Sequence, residues 1–153
     1  MVARKAIPDE DHVSRFAPYS RQFRDPETDE LIGLAPAACA IREADKGGLS
    51  VNWIEFYGAF NAAAKKAAAI GYRSTLAKNK LPSKGAFGYA NVGKLREVCA
   101  LAGKKIRVVH APVDGNDAHA EIRHFSDEDF GLLDELATNA FVDLDVVAEM
   151  KLP

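Results

Sequence analysis

Cysteine is scarce in this sequence. The chain has two cysteines, Cys39 and Cys99, which are far apart and lie in apolar stretches. We therefore expect two buried free thiols rather than a disulfide, as in proteins of a reducing cytoplasm. No CxxC pair occurs, and the histidines and acids within 110–124 fit no zinc-ligand spacing. We expect no metal ion and no other cofactor, and a cytoplasmic location.

Long apolar runs are missing as well. The apolar stretches are short and interrupted by charge, so none is expected to span a membrane, and we predict no membrane partner. The first residues, MVARKAIPDEDH, include basic side chains but lack the apolar segment of a secretory signal. Pro8 and the acids after it leave 1–10 little to bury, which predicts a disordered N-terminal tail.

The sequence also lacks the common catalytic signatures. It contains no GxxxxGK[ST] phosphate loop, no Rossmann glycine fingerprint, no nucleophile elbow and no kinase signature. The sequence therefore leaves open whether the protein is an enzyme. Any binding or catalytic role has to be argued from weaker and more local patterns.

The chain does have enough apolar sequence for one domain, which we place at 11–153. A chain of 153 residues with 48% hydrophobic and 27% charged residues is typical of a single globular domain. Strands and helices are mixed without regular βαβ alternation. This order favours an α+β fold, with a small mixed or antiparallel sheet packed by about three helices.

Local patterns place the elements of this fold. Three segments have strand patterns, the last with a helical turn as the alternative: 49–56, 104–112 and 119–125. Three segments have helical periodicity: 60–71, 92–102 and 126–141. Two segments indicate connections: an exposed turn at 24–31 and a loop at 79–88. Gly71 is expected to end the first helix, while Asn91 and Ser126 are expected to begin the other two. The acidic tail at 143–150 would extend the last helix or form another.

Charge is unevenly distributed along the chain. Residues 1–110 carry 18 Lys and Arg against 11 Asp and Glu, which gives a net charge of +7. Residues 111–153 carry 2 against 11, which gives −9. Between 65 and 107 the single acid is Glu97. Such asymmetry indicates either a polyanion partner or internal compensation. The leading hypothesis is therefore a non-catalytic protein that binds nucleic acid or another acidic partner through 65–107.

This basic segment contains our predicted ligand-binding residues. They are Lys65, Lys66, Arg73, Lys78, Lys80, Lys84, Lys94, Arg96, Lys105 and Tyr89. Lys and Arg neutralise phosphates, and interleaved aromatic rings stack on bases. Two alternatives stay open. The loop around 83–88 could hold the phosphate of a small molecule, or the acidic helix at 127–149 could neutralise the whole segment.

A second constellation suggests an enzyme that acts on a nucleotide or a phosphorylated substrate. His12, Arg15 and Arg21 lie in HVSRFAPYSRQFR, where arginine suits phosphate binding and histidine suits proton transfer. Other candidate catalytic residues are Ser50, Asn52 and His119, with Glu55 as a partner carboxylate. The alternatives are structural: an edge strand with paired arginines, a buried asparagine that ties strands together, and a surface histidine.

The segments LSVNWIEF, GAFGYANVGKLREV and HAEI resemble those of a group of small uncharacterised bacterial cytoplasmic proteins with no established activity. The resemblance covers about 12–140. It implies a bacterial, free-standing cytoplasmic protein and transfers no catalytic residue. A third functional hypothesis is a protein-interaction module with internally balanced charge, or a homodimer formed through the apolar segment 31–41.

Overall fold

The structure is a computed structural model that describes residues 5–41, 48–124 and 129–153. Its strands are β1 (His12–Ala17), β2 (Gln22–Arg24), β3 (Leu31–Leu34), β4 (Gly48–Trp53), β5 (Ala86–Asn91), β6 (Arg107–His110), β7 (His119–Arg123) and β8 (Asp143–Val146). Six of them form one antiparallel sheet in the order β6-β7-β4-β1-β5-β8. β2 and β3 form a separate hairpin, so the turn predicted at 24–31 does link two extended segments.

The described helices are α1 (Ala62–Arg73), α2 (Val92–Leu101), α3 (Phe130–Glu135) and the single turn α4 (Val147–Met150). A π-helical segment, Leu136–Ala140, continues α3, and short 3-10 turns lie at Tyr19–Arg21, Pro36–Cys39 and Ile54–Tyr57. The predicted α+β fold with a small antiparallel sheet is confirmed. The Asn91 side chain begins α2 as expected, because it accepts a hydrogen bond from Lys94 N at 3.0 Å.

Helices cover both faces of the six-stranded sheet. On one face α2, α3 and the π-helical segment pack on a large apolar core. On the other face α1 and α4 pack on a smaller core. Strand alternation explains this division, since Val13 points into the first core and Phe16 packs against the second. The two ends of the basic segment therefore lie on opposite faces, because α1 and α2 do.

Residues 5–10 belong to the fold, which corrects the predicted tail for its described part. Ile7 N donates to Val108 O at 2.9 Å, and Ala6 forms a bridge with Val109 at the edge of the sheet. The Ile7 side chain is fully buried in the larger core. A single apolar residue among charges has no periodicity, so the sequence pattern did not indicate this contact. Residues 1–4 lie outside the described residues.

β5 corrects the predicted loop at 79–88, since this strand begins at Ala86 and pairs with both β1 and β8. Pro82, Gly85 and Gly88 indicated a loop. Gly88 has another role, because a Cβ there would lie 2.7 Å from Leu34 Cδ1 and 3.2 Å from Phe141 Cβ. Glycine in this strand makes room for core side chains.

The C-terminal part differs from its prediction in two places. The predicted helix start at Ser126 lies outside the described residues. The described helix begins at Phe130, after Asp129 accepts a hydrogen bond from Leu132 N at 3.1 Å. The acidic tail is not all helix, because 143–146 forms the edge strand β8 and only the following four residues are helical. β-branched Val146 and pairing with β5 favour the strand.

Candidate ligand-binding site

Two central strands, β1 and β4, separate partway along the sheet. Their pairing is limited to Val13 with Trp53 and Ser14 with Asn52, whereas β1 remains paired with β5 as far as Ala17. Beyond Ser14 the two strands diverge, and a gap opens near the middle of the sheet. Such a gap exposes polar main-chain groups that need other partners.

Arg15 ties the separated strands together. Its Nε donates to Ala38 O and its Nη1 donates to Ser50 O, both at 2.8 Å. These bonds offset the cost of burying a guanidinium, which is 7% exposed. The role of Arg15 in holding an anion stays a prediction: two of its donors hold the main chain, and the residue adds positive charge to the wall of a cavity.

That cavity has a volume of about 150 Å³ and lies over the gap. Its lining residues are Ser14, Arg15, Phe16, Ser50, Val51, Asn52, Tyr72, Thr75, Val113, Asn116 and His119. Four of the six candidate catalytic residues thus meet here: Arg15, Ser50, Asn52 and His119. Within the described chain no carboxylate lines the cavity, so it suits a neutral or anionic ligand better than a cation.

A row of three polar residues forms the floor of the cavity. Ser14 on β1 pairs with Asn52 on β4, and Asn52 pairs with His119 on β7. Cross-strand partners point to the same face, so the three side chains lie side by side under the cavity. The predicted strand at 119–125, which placed His119 and Glu121 on one face, therefore contributes one side chain to the site.

The connection between β6 and β7 supplies the other side of the cavity. Main-chain hydrogen bonds between Val113 and Asn116, at 3.0 and 3.2 Å, close a tight turn. Gly115 has a φ of 83°, which favours glycine at this point. The turn places Asn116 over the sheet, where its Nδ2 donates to Asn52 Oδ1 at 2.6 Å.

Two residues that line this cavity each have a buried side-chain oxygen with no hydrogen-bond partner among the described residues. The two oxygens are Ser14 Oγ and Asn116 Oδ1, and both residues are 2% exposed. Burying a polar atom without a partner costs about 1–3 kcal/mol. Buried polar atoms without partners are rare, so two of them beside one cavity point to a bound water or a ligand that completes their bonds.

His119 lines the cavity and has its tautomer set by a main-chain hydrogen bond. Its Nδ1 lies 2.7 Å from Ala111 O, and a carbonyl oxygen can only accept, so Nδ1 carries the proton. In the neutral imidazole the other nitrogen, Nε2, then has a lone pair. The residue is half-buried and lines the cavity, so Nε2 can accept a hydrogen bond or a proton from a ligand.

Helix α1 approaches the side chain of Asn116 closely because of Gly71. A Cβ at this position would lie 2.9 Å from Asn116 Oδ1 and 2.8 Å from Tyr57 Oη. The expected helix end at Gly71 is thus wrong, since α1 continues to Arg73. Glycine costs a helix about 1 kcal/mol relative to alanine. At this position the missing side chain leaves room for the buried amide of Asn116.

A second cavity, of about 310 Å³, adjoins the first. It shares Arg15, Phe16 and Tyr72 with the first cavity and extends to Ser20 and Arg21. No described carboxylate lines this cavity either. Arg21 Nη1 makes one long hydrogen bond, 3.4 Å, to Ala37 O. The candidate residue Arg21 therefore lies in the lining of this second cavity.

His12, the sixth candidate, does not line either cavity. Its Nδ1 lies 2.6 Å from Glu55 Oε2, and its main-chain N donates to Glu55 Oε1 at 2.8 Å. Its ring stacks on Phe60 with centroids 3.8 Å apart. Glu55 was correctly expected to be a nearby carboxylate. The pair fastens the entry to α1.

The predicted polyanion-binding residues are spread over the molecule. Several are paired: Lys65 with Asp143 at 3.0 Å, Lys84 with Asp29 at 3.9 Å, Lys94 with Glu97 at 3.7 Å and Arg96 with Asp9 at 3.0 Å. Arg73 Nη1 donates to Pro153 O at 2.6 Å. Lys66, Lys78, Lys80 and Lys105 have no ion pair with any described residue.

Tyr89 is not an exposed ring, which corrects its predicted role in base stacking. The residue is 2% exposed, and its Oη donates to Asp145 Oδ2 at 2.8 Å. Burial, followed by the nearby Asp145 carboxylate, raises the pKa of this phenol well above its usual range. Lys65 lies over the same ring at 4.7 Å, so Tyr89 is a core residue with a polar edge.

The sequence pattern missed Asn116 and undervalued Ser14. Ser14 has no sequence context that marks an activated nucleophile, and Asn116 lies in the polar loop VDGND. One signal was available, since Ser14 lies on β1 between Val13 and Arg15, where strand alternation places it on one face with His12 and Phe16. No local signal indicates that the loop folds back over β4.

The segment proposed for a homodimer, 31–41, is mostly internal. Leu34, Ala38 and Cys39 are buried in the larger core. Ile32 is 65% exposed and lies near exposed Val142 in an apolar depression that 31–34 shares with the π-helical segment. A homodimer interface at this depression would therefore involve the β2–β3 hairpin more than the whole of 31–41.

Both thiols are buried and free, as expected. The described part of the chain contains no cluster of three or more His, Cys, Asp or Glu suited to a metal ion. Nor does any helix in the described ranges have the length and apolar character needed to cross a membrane. The chain matches no protein-family model and has no significant similarity to curated proteins or solved structures.

Proposed function

We propose that the protein binds a nucleotide or another small phosphorylated molecule in the two adjoining cavities between β1, β4, β7 and α1. The observation that carries this proposal is that two residues lining one cavity, Ser14 and Asn116, each have a buried side-chain oxygen without a hydrogen-bond partner among the described residues. A ligand that bonds to both would recover their desolvation cost, about 1–3 kcal/mol for each atom. The desolvation free energy recovered in this way would contribute to the affinity for the ligand.

Charge supports an anionic ligand. The described lining of the two cavities contains Arg15, Arg21 and His119 and no carboxylate. Arg15 contributes a fixed positive charge in a buried wall, where screening by solvent is weak. Arg21 is more accessible and can turn its guanidinium towards a phosphate, which it binds through two parallel hydrogen bonds. The anion would therefore lie in the second cavity, which Arg21 lines.

His119 gives this site a candidate acid–base group. The bond from Nδ1 to Ala111 O fixes the tautomer and leaves Nε2 as a base inside the cavity. Ser14 and Asn52 lie in the same row and would orient a ligand hydroxyl or amine against it. Binding is the function that the geometry supports first, and proton transfer is what His119 would add.

Calorimetric titration with nucleoside monophosphates and sugar phosphates tests this proposal. We expect at least one compound to bind, and Arg21→Gln to weaken that binding about tenfold. Arg107→Gln, at an exposed position on the edge strand β6, is the matched control and should change nothing. If no compound binds, or if both variants weaken binding equally, the proposal is wrong.

Binding of nucleic acid or an acidic protein through the basic segment is our second candidate. Exposed Lys78 and Lys80 have no ion pair with a described residue and follow α1 closely, so they support a contact on that side. Binding of this kind should weaken steeply with salt. A mobility shift with single-stranded RNA at low salt that Lys78→Gln and Lys80→Gln abolish would favour it over the cavity. We place either activity in the cytoplasm, where two buried free thiols are usual.

A further inference from the structure

We propose a separate anion-binding site at the C-terminal end of α1, in a cavity of about 290 Å³ that Arg73, Lys80 and Lys151 line. The ligand class is a group of linked phosphates, either a free oligophosphate or the backbone of a single-stranded nucleic acid. This space, which we call the C-terminal cavity, shares no lining residue with the two adjoining cavities and does not depend on their function.

Three segments of the chain bring these basic residues together. Arg73 is the last residue of α1, Lys80 lies between α1 and β5, and Lys151 follows α4. Ala148 N donates to Ser83 O at 3.1 Å, which holds α4 against the connection that contains Lys80. Lys151 lies far outside the basic segment 65–107, so only the folded chain places it beside the other two cations.

The described lining of the C-terminal cavity contains three cations and no carboxylate. Lys80 and Lys151 are exposed and form no ion pair with a described residue. Lys151 also borders a neighbouring depression with Asp145 and Glu149, yet it pairs with neither. Flexible lysine stems let both ammonium groups reach a ligand in the cavity. Cations that share one concave surface without partners raise its positive potential.

Arg73 is the fixed cation of this site. Its Nη1 donates to Pro153 O at 2.6 Å, whereas its Nη2 makes no hydrogen bond with a described residue. A side chain that is already held in place loses less conformational freedom when it binds a ligand. The site therefore combines one preorganised guanidinium with two adaptable ammonium groups.

The end of α1 does not need these cations. A helix C-terminus carries partial negative charge, and basic side chains often bind its last carbonyls. In α1 those carbonyls have other donors, because Ser74 Oγ donates to Ile70 O at 2.9 Å and Thr75 Oγ1 donates to Tyr72 O at 2.7 Å. The helix end contributes only about half an elementary charge, which three full positive charges exceed. A net positive field therefore remains for a ligand.

The lining of the C-terminal cavity favours linked phosphates. Such a group places several negative charges close together, which matches three cations around one space. The exposed side chains of Asn79 and Ser83 add neutral donors to the lining. The described lining contains no aromatic ring, so it offers nothing on which a base could stack. The site would therefore bind the phosphates and not the groups attached to them.

Titration calorimetry in phosphate-free buffer tests the inference with three probes: tripolyphosphate, a short single-stranded RNA and an acidic peptide of similar charge. We expect tripolyphosphate to bind at least about tenfold more tightly than the peptide. Competition by the RNA for the same site would assign the phosphates to a nucleic acid backbone. An RNA that does not compete would assign the site to a free oligophosphate.

Two lysine variants locate the binding. Lys80→Gln and Lys151→Gln should each weaken tripolyphosphate binding about threefold, and together about tenfold. Lys104→Gln is the matched control, because this lysine lies between α2 and β6, lines none of the three cavities and has no ion pair with a described residue. Urea unfolding should give both cavity variants the midpoint of the unchanged protein, since the two side chains are exposed.

The outcomes separate this inference from the proposed function. Tripolyphosphate that binds the double variant as tightly as the unchanged protein would place the anion elsewhere and overturn this inference, while the proposed function of the other cavities would stand. Absence of tripolyphosphate binding, or an acidic peptide that binds as tightly, would overturn it as well.

Discussion

Replacing Ser14 by alanine tests whether the folded protein leaves a polar group unpaired in the cavity. Ser14 Oγ is buried without a partner in the described chain, and the residue is 2% exposed. In the unfolded chain water bonds to this hydroxyl, so folding breaks those bonds and replaces none of them. An unpaired group of this kind lowers the free energy of unfolding by about 1–3 kcal/mol.

Alanine removes that cost and leaves a space the size of one oxygen atom. The small loss of packing offsets part of the gain, because fewer atoms then contact the neighbouring side chains. We therefore expect Ser14→Ala to raise the free energy of unfolding by about 1 kcal/mol. For a chain of this size that corresponds to an increase in Tm of about 2–4 °C. The same change should weaken ligand binding.

Urea unfolding followed by circular dichroism measures this effect. The slope m should not change, since the substitution does not alter the surface exposed on unfolding. Ser74→Ala is the control: its Oγ is exposed and donates to Ile70 O at 2.9 Å, and its removal should change stability by less than about 0.5 kcal/mol. A loss of 1 kcal/mol or more on replacing Ser14 would show that its hydroxyl has a structural partner, and the argument from an unpaired atom would fail.

Three further predictions concern the fold. Gly88→Ala should lower the free energy of unfolding by about 1–3 kcal/mol, because the added Cβ would lie 2.7 Å from Leu34 Cδ1; unchanged urea stability would contradict this contact. Asn61→Ala should cost about 1 kcal/mol, since Asn61 Oδ1 accepts from Ala64 N at 3.0 Å at the start of α1, and an unaffected unfolding midpoint would argue against the cap. Burial raises the pKa of Cys39 from 9.0 to about 12 and that of Cys99 to about 11, so neither thiol should react with a disulfide reagent at pH 8 until urea unfolds the protein. Because the unfolded thiols ionise first, stability should also fall as pH rises above about 9, and rapid labelling of the native protein would refute the burial.

Helical periodicity and the asparagine cap were enough to predict α2, and strand patterns were enough for β4, β6 and β7. α2 and β7 have one polar and one apolar side, so their patterns follow directly from burial, whereas β4 and β6 were indicated by their β-branched and aromatic residues. β5 was missed because it is buried on both faces and contains Gly88, whose small size serves a packing contact with Leu34 that only the folded chain reveals. Ile7 was missed because a lone apolar residue has no period.

The candidate site was predictable in part. Asn52 and His119 could be recognised as polar residues on apolar strands, and their strands do pair. Their neighbours could not be recognised, since Ser14 joins the row only through the pairing of β1 with β4. Asn116 reaches the cavity only because the 113–116 turn folds back. Both depend on long-range contacts, which local sequence patterns do not encode.

Nuclear magnetic resonance of the asparagine side-chain amides tests the central claim most directly. The Nδ2 groups of Asn52 and Asn116 report on the first cavity, which both residues line. The main-chain amides of Lys78 and Lys80 report on the basic surface beyond α1. On titration with ribose 5-phosphate or cytidine 5′-monophosphate, the account predicts that the Asn116 and Asn52 side-chain signals shift most, together with the His119 ring. Shifts confined to Lys78 and Lys80, or the absence of any shift at Asn116, would contradict it.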